Sequence, residues 1–331
     1  MKKIKIDTFV LAIIAVVIIA YLFPEWGSQG SQVPLDMVAS IGISLIFFFY
    51  GLKLSPERIK TGLKNWHLHI LIQSATFLVF PLIIIAFQPF LERLFDHKIW
   101  LAFLFLAALP STVSSSVVMV SMAKGNIPAA IFNASISGLI GIAITPLWVG
   151  LFLNQTSSDF NLQGIYIKLL TEILFPVVLG LGLQRYFGGY VLSYSRQLAL
   201  FDKSIILIII YKSFAESFEE KVFTSVVVMD LVGITFTVVL LFYFVYLLIG
   251  LLSKKLKFSI EDRITAQFCG TKKSLVHGTV FSKILFKHSA AIGIILLPLM
   301  LFHAIQIFII SIIASSMGKR EVDGRPKPVI P

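Results

Sequence analysis

Residues 231–252 read LVGITFTVVLLFYFVYLLIGLL, a run without a single charge. A segment of about 20 apolar residues is long enough to cross the ~30 Å of hydrocarbon in a bilayer. Shorter apolar runs cover 9–23, 77–87 and 205–211. Only 14% of the 331 residues are charged and 57% are hydrophobic, against roughly a quarter charged in a soluble domain. The expected fold class is therefore an all-α polytopic membrane protein, embedded in a lipid bilayer, with little length left for a soluble domain. Apolar runs and breakers predict ten transmembrane helices, at 8–23, 33–53, 66–87, 98–121, 126–153, 163–184, 199–216, 223–252, 261–286 and 289–316.

Charge orients these spans. With the N-terminus inside, nineteen Lys and Arg fall on the inner side and seven on the outer, while Lys272 and Lys273 lie within the ninth span. Basic residues favour the cytoplasmic side. The reading is a multi-pass protein of the cell (inner) membrane with N- and C-termini cytoplasmic. The start, MKKIKIDTFVLAIIAVV, shows no small-residue cleavage motif after its apolar run and predicts a retained first helix. The net charge of +11 reflects these loops facing anionic lipid, and no nucleic-acid partner is expected. Cys269 is the only cysteine, which excludes an internal disulfide.

Ten spans divide into two five-helix repeats, 8–153 and 163–316, followed by a cytoplasmic tail, 317–331. An odd number of spans per half inverts the second repeat, a common transporter architecture. The fourth span is interrupted at residues 110–116, PSTVSSS, and the ninth at 269–274, CGTKKS. Paired interruptions in corresponding spans point to a midplane binding site. Pro110 removes an amide proton, and carbonyls freed near Leu106 or Ala107 need partners that hydrocarbon cannot supply. Ser111, Thr112, Ser114, Ser115 and Ser116 are candidates for satisfying them, or for ligating a small hard cation. In the ninth span, Lys272 and Lys273 sit mid-membrane, where an ammonium costs at least ~2.5–3.5 kcal/mol. They either snorkel to the inner surface or line a water-filled cavity as a counter-charge or anion ligand, together with Thr271, Ser274 and His277, one turn beyond Lys273. Other intramembrane polar residues are Gln73, Asn133, Ser135, Ser137, Glu172, Asp230, His303 and Gln306. There is no nucleophile elbow, phosphate loop or zinc spacing, so no enzyme activity and no cofactor is expected.

The chain resembles the bile acid:sodium symporter superfamily, in the bacterial branch similar to the seventh vertebrate member of solute carrier family 10. The resemblance rests on NWHLHILIQSATFLVFPL (65–82), LPSTVSSSVVMVSMAKGNIPAAIFNASISGLIGIAITPL (109–147), FSIEDRITAQFCGTKKSL (258–275) and ILLPLMLFHAIQ (295–306). It implies a core domain of spans three to five and eight to ten, with discontinuous crossing helices four and nine, and a panel domain of spans one, two, six and seven. It also implies sodium sites behind the crossing. Gln73, Ser115, Ser116 and Asn126 fall at or beside family ligand positions, with Asn133 nearby. The chain departs from the pattern where Phe268 or Cys269 replaces a carboxylate, Lys272 a glutamine, and Ala130 a hydroxyl. An ammonium in that place would make a sodium ion unnecessary. The expected function is a secondary active transporter for an organic anion, sodium- or proton-coupled. The alternative is a non-transporting membrane regulator or sensor on the same scaffold.

Overall fold

The computed structural model describes residues 8–27, 34–54, 65–112, 114–153, 162–219, 221, 224, 226–286 and 291–319. Every regular element among them is helical. In chain order the main helices are α1 (Thr8–Leu22), α2 (Leu35–Lys53), α3 (Trp66–Ala86), α4 (Gln88–Leu94), α5 (His97–Ala108), α6 (Ser114–Met122), α7 (Ile127–Leu153), α8 (Gln163–Ser193), α9 (Ser195–Glu219), α10 (Val228–Lys255), α11 (Ile260–Gly270), α12 (Leu275–Leu285) and α13 (Ile292–Met317). Six of these, α2, α3, α7, α8, α10 and α13, are long and apolar enough to cross a membrane by length and composition.

The other expected spans take forms with physical reasons. Helix α1 has 15 residues, short of a full crossing. Helix α9 has 25 but carries Arg196, Asp202, Lys203, Lys212, Glu216 and Glu219. The expected fourth and ninth spans are each two short helices, α5 with α6 and α11 with α12. The first interruption is narrower than expected. Helix α5 stops at Ala108 because Pro110 cannot donate to Leu106 O, and Leu109 N takes that carbonyl instead. The chain is helical again from Ser114, so Ser114, Ser115 and Ser116 open a helix rather than lie in the gap. In the second interruption α11 ends at Gly270, and Ser274 starts α12 by accepting from His277 N, a standard N-cap.

Two π turns mark the long helices. Ala75–Val79 in α3 precedes Phe80–Pro81, and Leu170–Leu174 in α8 precedes Phe175–Pro176. In each, a proline lacks the N–H that regular α-helical pairing needs, and the helix bypasses it with one wide turn.

The helices pack in two groups. In the first, α2 lies along α8, and α9 packs on α1, α2 and α8. Gly51 and Gly180 bring α2 and α8 together so closely that a Cβ on either would overlap the other helix's backbone, the small-residue contact that lets membrane helices approach. In the second group α5 is central, against α3, α7 and α13, while α11 contacts α3, α6, α7 and α10. Helix α5 is apolar all round because it is enclosed all round, with every residue from Ile99 to Ala108 buried.

Polar links tie the ends of the bundle. Lys212 and Lys283 both pair with Asp36, at 3.2 and 3.4 Å, and Lys212 also pairs with Glu216. These residues stand in the first turn of α2, late in α9 and in the last turn of α12, so those termini share an end. At the opposite end of α2, Lys53 lies 3.8 Å from Asp202 of α9. The charged residues that alternate along the sequence thus meet by end, as antiparallel helices require.

Candidate functional site

The two interruptions meet. Ser274 N donates to Pro110 O at 2.9 Å, and Ser111 Oγ donates back to Cys269 O at 2.6 Å. Ser111 N is held by Ser137 Oγ of α7 at 2.9 Å. Each contact supplies a partner to a backbone group whose helix has ended, as burial requires.

The hydroxyls of Ser111, Thr112, Ser115 and Ser116 do not cap the freed carbonyls of α5, contrary to expectation. Ala108 O accepts from Thr145 Oγ1 of α7 at 2.8 Å. Ala107 O and Leu109 O accept from Lys273 Nζ, at 2.6 and 2.9 Å. The same nitrogen donates to Thr76 O at 2.7 Å and lies 4.2 Å from the centre of the Phe80 ring. Lysine reaches several carbonyls at once from one flexible stem, which a serine on the same short segment cannot do. Lys273 therefore neither snorkels nor lines a water-filled cavity. It is wholly buried, and its backbone is clasped by Gln306 of α13, which accepts from Lys273 N and donates to Lys273 O, both at 2.8 Å.

Lys272 is equally buried and differently treated. Its ammonium has one hydrogen bond, to Ser115 Oγ at 3.3 Å. Ser115 shares a hydroxyl cluster with Thr112 and Ser116, each 2.9 Å from Thr112 Oγ1. The Ser114 side chain lies outside the described residues.

The remaining predicted residues fall into three places. Gln73 and Asn133 meet between α3 and α7, where Gln73 Nε2 donates to Asn133 Oδ1 at 3.1 Å and Asn133 Nδ2 meets His69 Nδ1 at 2.7 Å. Gln73 Oε1 is buried without a partner. Asn126 sits at the start of α7, donating to Asp262 Oδ1 at 2.8 Å through its side chain and to Thr265 Oγ1 at 2.9 Å through its backbone. Asn65 donates to the other Asp262 oxygen at 2.8 Å, so this is a polar clamp at a helix end, apart from the lysines. Thr271 turns back to Gln267 O at 2.6 Å. His277 does not share a face with the Lys273 ammonium. Its Nδ1 meets Ser274 Oγ at 2.9 Å, and its ring lies edge-on to Phe47 of α2 and Phe281, with Nε2 buried and unpartnered. Beside it Tyr50 OH donates to Ser135 O, linking α2 to α7.

Thr76, Thr145 and Tyr50 were missed by sequence reasoning. Two carried a readable signal: Thr76 stands four residues before Phe80-Pro81, and Thr145 just before Pro146. Gln306 was read only as one more buried polar group. Tyr50 ends an aromatic run and carried no distinguishing signal.

The residues do not fit a sodium ion at Ser115–Ser116. A hard cation needs several oxygens and charge compensation. Here the Lys272 side-chain nitrogen already lies on Ser115 Oγ, and Phe268 and Cys269, both buried, bring no carboxylate. Gln73 Oε1 is a single free oxygen, and Asn133 Oδ1 is engaged by Gln73 itself.

The sequence is similar to known proteins over nearly its whole length. An uncharacterized protein of Pseudomonas aeruginosa, PA2026, is 38% identical over 96% of this chain and 94% of its own. The Escherichia coli protein named "Putative symporter YfeH" is 35% identical over 95% of this chain and 94% of its own. Sodium/bile acid cotransporter 7-B of Xenopus laevis is 30% identical over 96% of this chain and 93% of its own. The SBF-like CPA transporter family matches residues 7–319. With its membrane-length helices, the chain is a multi-pass membrane protein, and it belongs to the SBF-like CPA transporter family, a family of transporters rather than enzymes.

Proposed function

We propose that the chain is a secondary transporter for a small or amphipathic organic anion, working by alternating access. The observation that carries this reading is Lys272. It is a buried lysine whose side-chain nitrogen has a single hydrogen bond among the described residues, placed where two broken helices meet. An ammonium with unused N–H groups in a membrane interior is an anion ligand in waiting. The names of the relatives, a symporter and a sodium/bile acid cotransporter, support coupled transport.

The two helix groups supply the moving parts in this reading. The group α1, α2, α8 and α9 is the panel, and the group around α5 is the core, with α5–α6 and α11–α12 as the crossing fourth and ninth spans. Ten spans then form two inverted repeats, 8–153 and 163–316, with both termini on the cytoplasmic side of the inner membrane. Links between panel and core are more numerous at the Asp36 end, although Tyr50 OH also ties α2 to α7 nearer the Lys53 end. Lys283 binds Asp36 and Ser40, and Ser217 Oγ accepts from Gly293 N. Closure at that end, with Lys272 buried, is one state of an alternating-access cycle.

Lys272 also replaces the coupling ion in this reading. Its ammonium occupies the hydroxyl cluster that a sodium ion would need, so coupling runs through a proton or is absent. Uptake of organic anions into reconstituted vesicles, under sodium, potassium and proton gradients imposed separately, tests this. Uptake driven by a sodium gradient alone overturns the resident-cation assignment. Single cysteines placed beside Ser115 that never change accessibility between the two sides overturn alternating access, and favour the regulator.

A further inference from the structure

We infer that Lys273 is a permanent ammonium built into the core, filling a three-carbonyl cation site that ties the π turn of α3, the end of α5 and the α11–α12 break into one unit.

The carbonyls come first. Thr76 O has no backbone donor. Its α-helical partner, Phe80 N, is drawn to Ala75 O by the π turn. Its π partner is residue 81, a proline without an N–H. Ala107 O is similarly stranded, since Pro110 has no N–H to offer and Ser111 N is held by Ser137 Oγ. Leu109 O lies in the interruption itself. These three oxygens converge on one nitrogen, at 2.7, 2.6 and 2.9 Å.

The stoichiometry then fixes the protonation state. A carbonyl only accepts, so three carbonyl bonds demand three N–H donors. A neutral amine has two and an ammonium has three. Phe80 lies 4.2 Å away on a further side and favours the cation through its ring face. With Gln306 holding the residue's own N–H and C=O, every polar group of Lys273 is bound. It has no free donor to offer a substrate, and its proton is shared among oxygens that cannot take it. Lys273 is thus a positioning residue, distinct in role from Lys272. The cradle's ligand class is a primary ammonium, which the chain itself provides.

This inference stands apart from the transport reading and is tested without transport. Lys273→Ala removes the ammonium and opens a slot for methyl-, ethyl- or propylammonium. The purified variant is expected to melt several degrees below the wild type in detergent. Propylammonium is expected to recover at least half of that loss. Tetramethylammonium has the same charge and no N–H, and recovers none. Equal recovery by both, or by neither, overturns the inference. Where Lys273→Ala yields no folded protein, the wild type decides, through NMR of 15N-lysine-labelled chain. One side-chain nitrogen coupled to three slowly exchanging protons, retained when Lys272→Gln is made, is the expected signature. A slowly exchanging nitrogen coupled to two protons overturns it.

Discussion

Lys272 and Lys273 are neighbours in one interruption, both without exposed surface, and their surroundings are opposite. Lys273 donates to three carbonyls at 2.6–2.9 Å and has its backbone clasped by Gln306. Lys272 has one bond of 3.3 Å to a hydroxyl. A buried polar group in a membrane is costly unless it is answered. Where it is answered completely, its role is structural. Where the answer is incomplete, the deficit is the candidate for function. The contrast arises because the chain is not helical at Lys272 and Lys273, and their side chains leave in different directions. Lys273 reaches α3 and α5, and Lys272 reaches α6.

The contrast can be broken at several points, in decreasing order of effect on stability. Lys273→Met strands three buried carbonyls. The loss is expected to reach about 3 kcal/mol or more, at ~1–3 kcal/mol for each unsatisfied group, read as a lowered midpoint in denaturant titration. Gln306→Leu leaves Lys273 N and O without partners but spares the ammonium. About 2 kcal/mol is expected, with the ammonium's NMR signature intact. If Gln306→Leu costs more than Lys273→Met, the clasp and not the cation holds the interruption. Thr145→Val orphans only Ala108 O, and ~1 kcal/mol is expected, in line with single hydrogen bonds between membrane helices.

The interruptions were legible because proline, hydroxyls and adjacent lysines are conspicuous in apolar sequence, and the structure joins them through Ser274 N and Pro110 O. What the sequence hid was the wiring. Pro110 announces that carbonyls near Leu106 or Ala107 lose their donors, but the nearest hydroxyls are not their partners. Ser111 reaches across to Cys269 O, and Ala107 O is answered from more than 150 residues away. Local sequence names the unsatisfied groups, while tertiary structure chooses who satisfies them. Asn126 shows the same from another side. Its place in a family motif suggested a ligand, but its amide is committed to Asp262 at a helix end. The π turn of α3 was also unseen, although ATFLVFP and LTEILFP share the Thr-x-x-x-Phe-Pro pattern that produces it twice.

The smallest expected change in stability belongs to Lys272→Gln. Only one long hydrogen bond is lost, and a charge is removed from a site that answers it poorly, so the midpoint should move by less than ~1 kcal/mol in either direction. The consequence falls on ion response. Without the ammonium, the hydroxyls of Thr112, Ser115 and Ser116 and the new carboxamide oxygen form a neutral oxygen cluster, the ligand type that hard cations prefer. The variant should gain sodium-dependent thermal stabilisation, with potassium less effective because it is larger. Its vesicle uptake should become sensitive to a sodium gradient, to which the wild type is expected to be indifferent. Wild type and variant responding alike to sodium would mean that the Lys272 ammonium does not stand in an ion's place. The difference between the two lysines would then be one of packing alone.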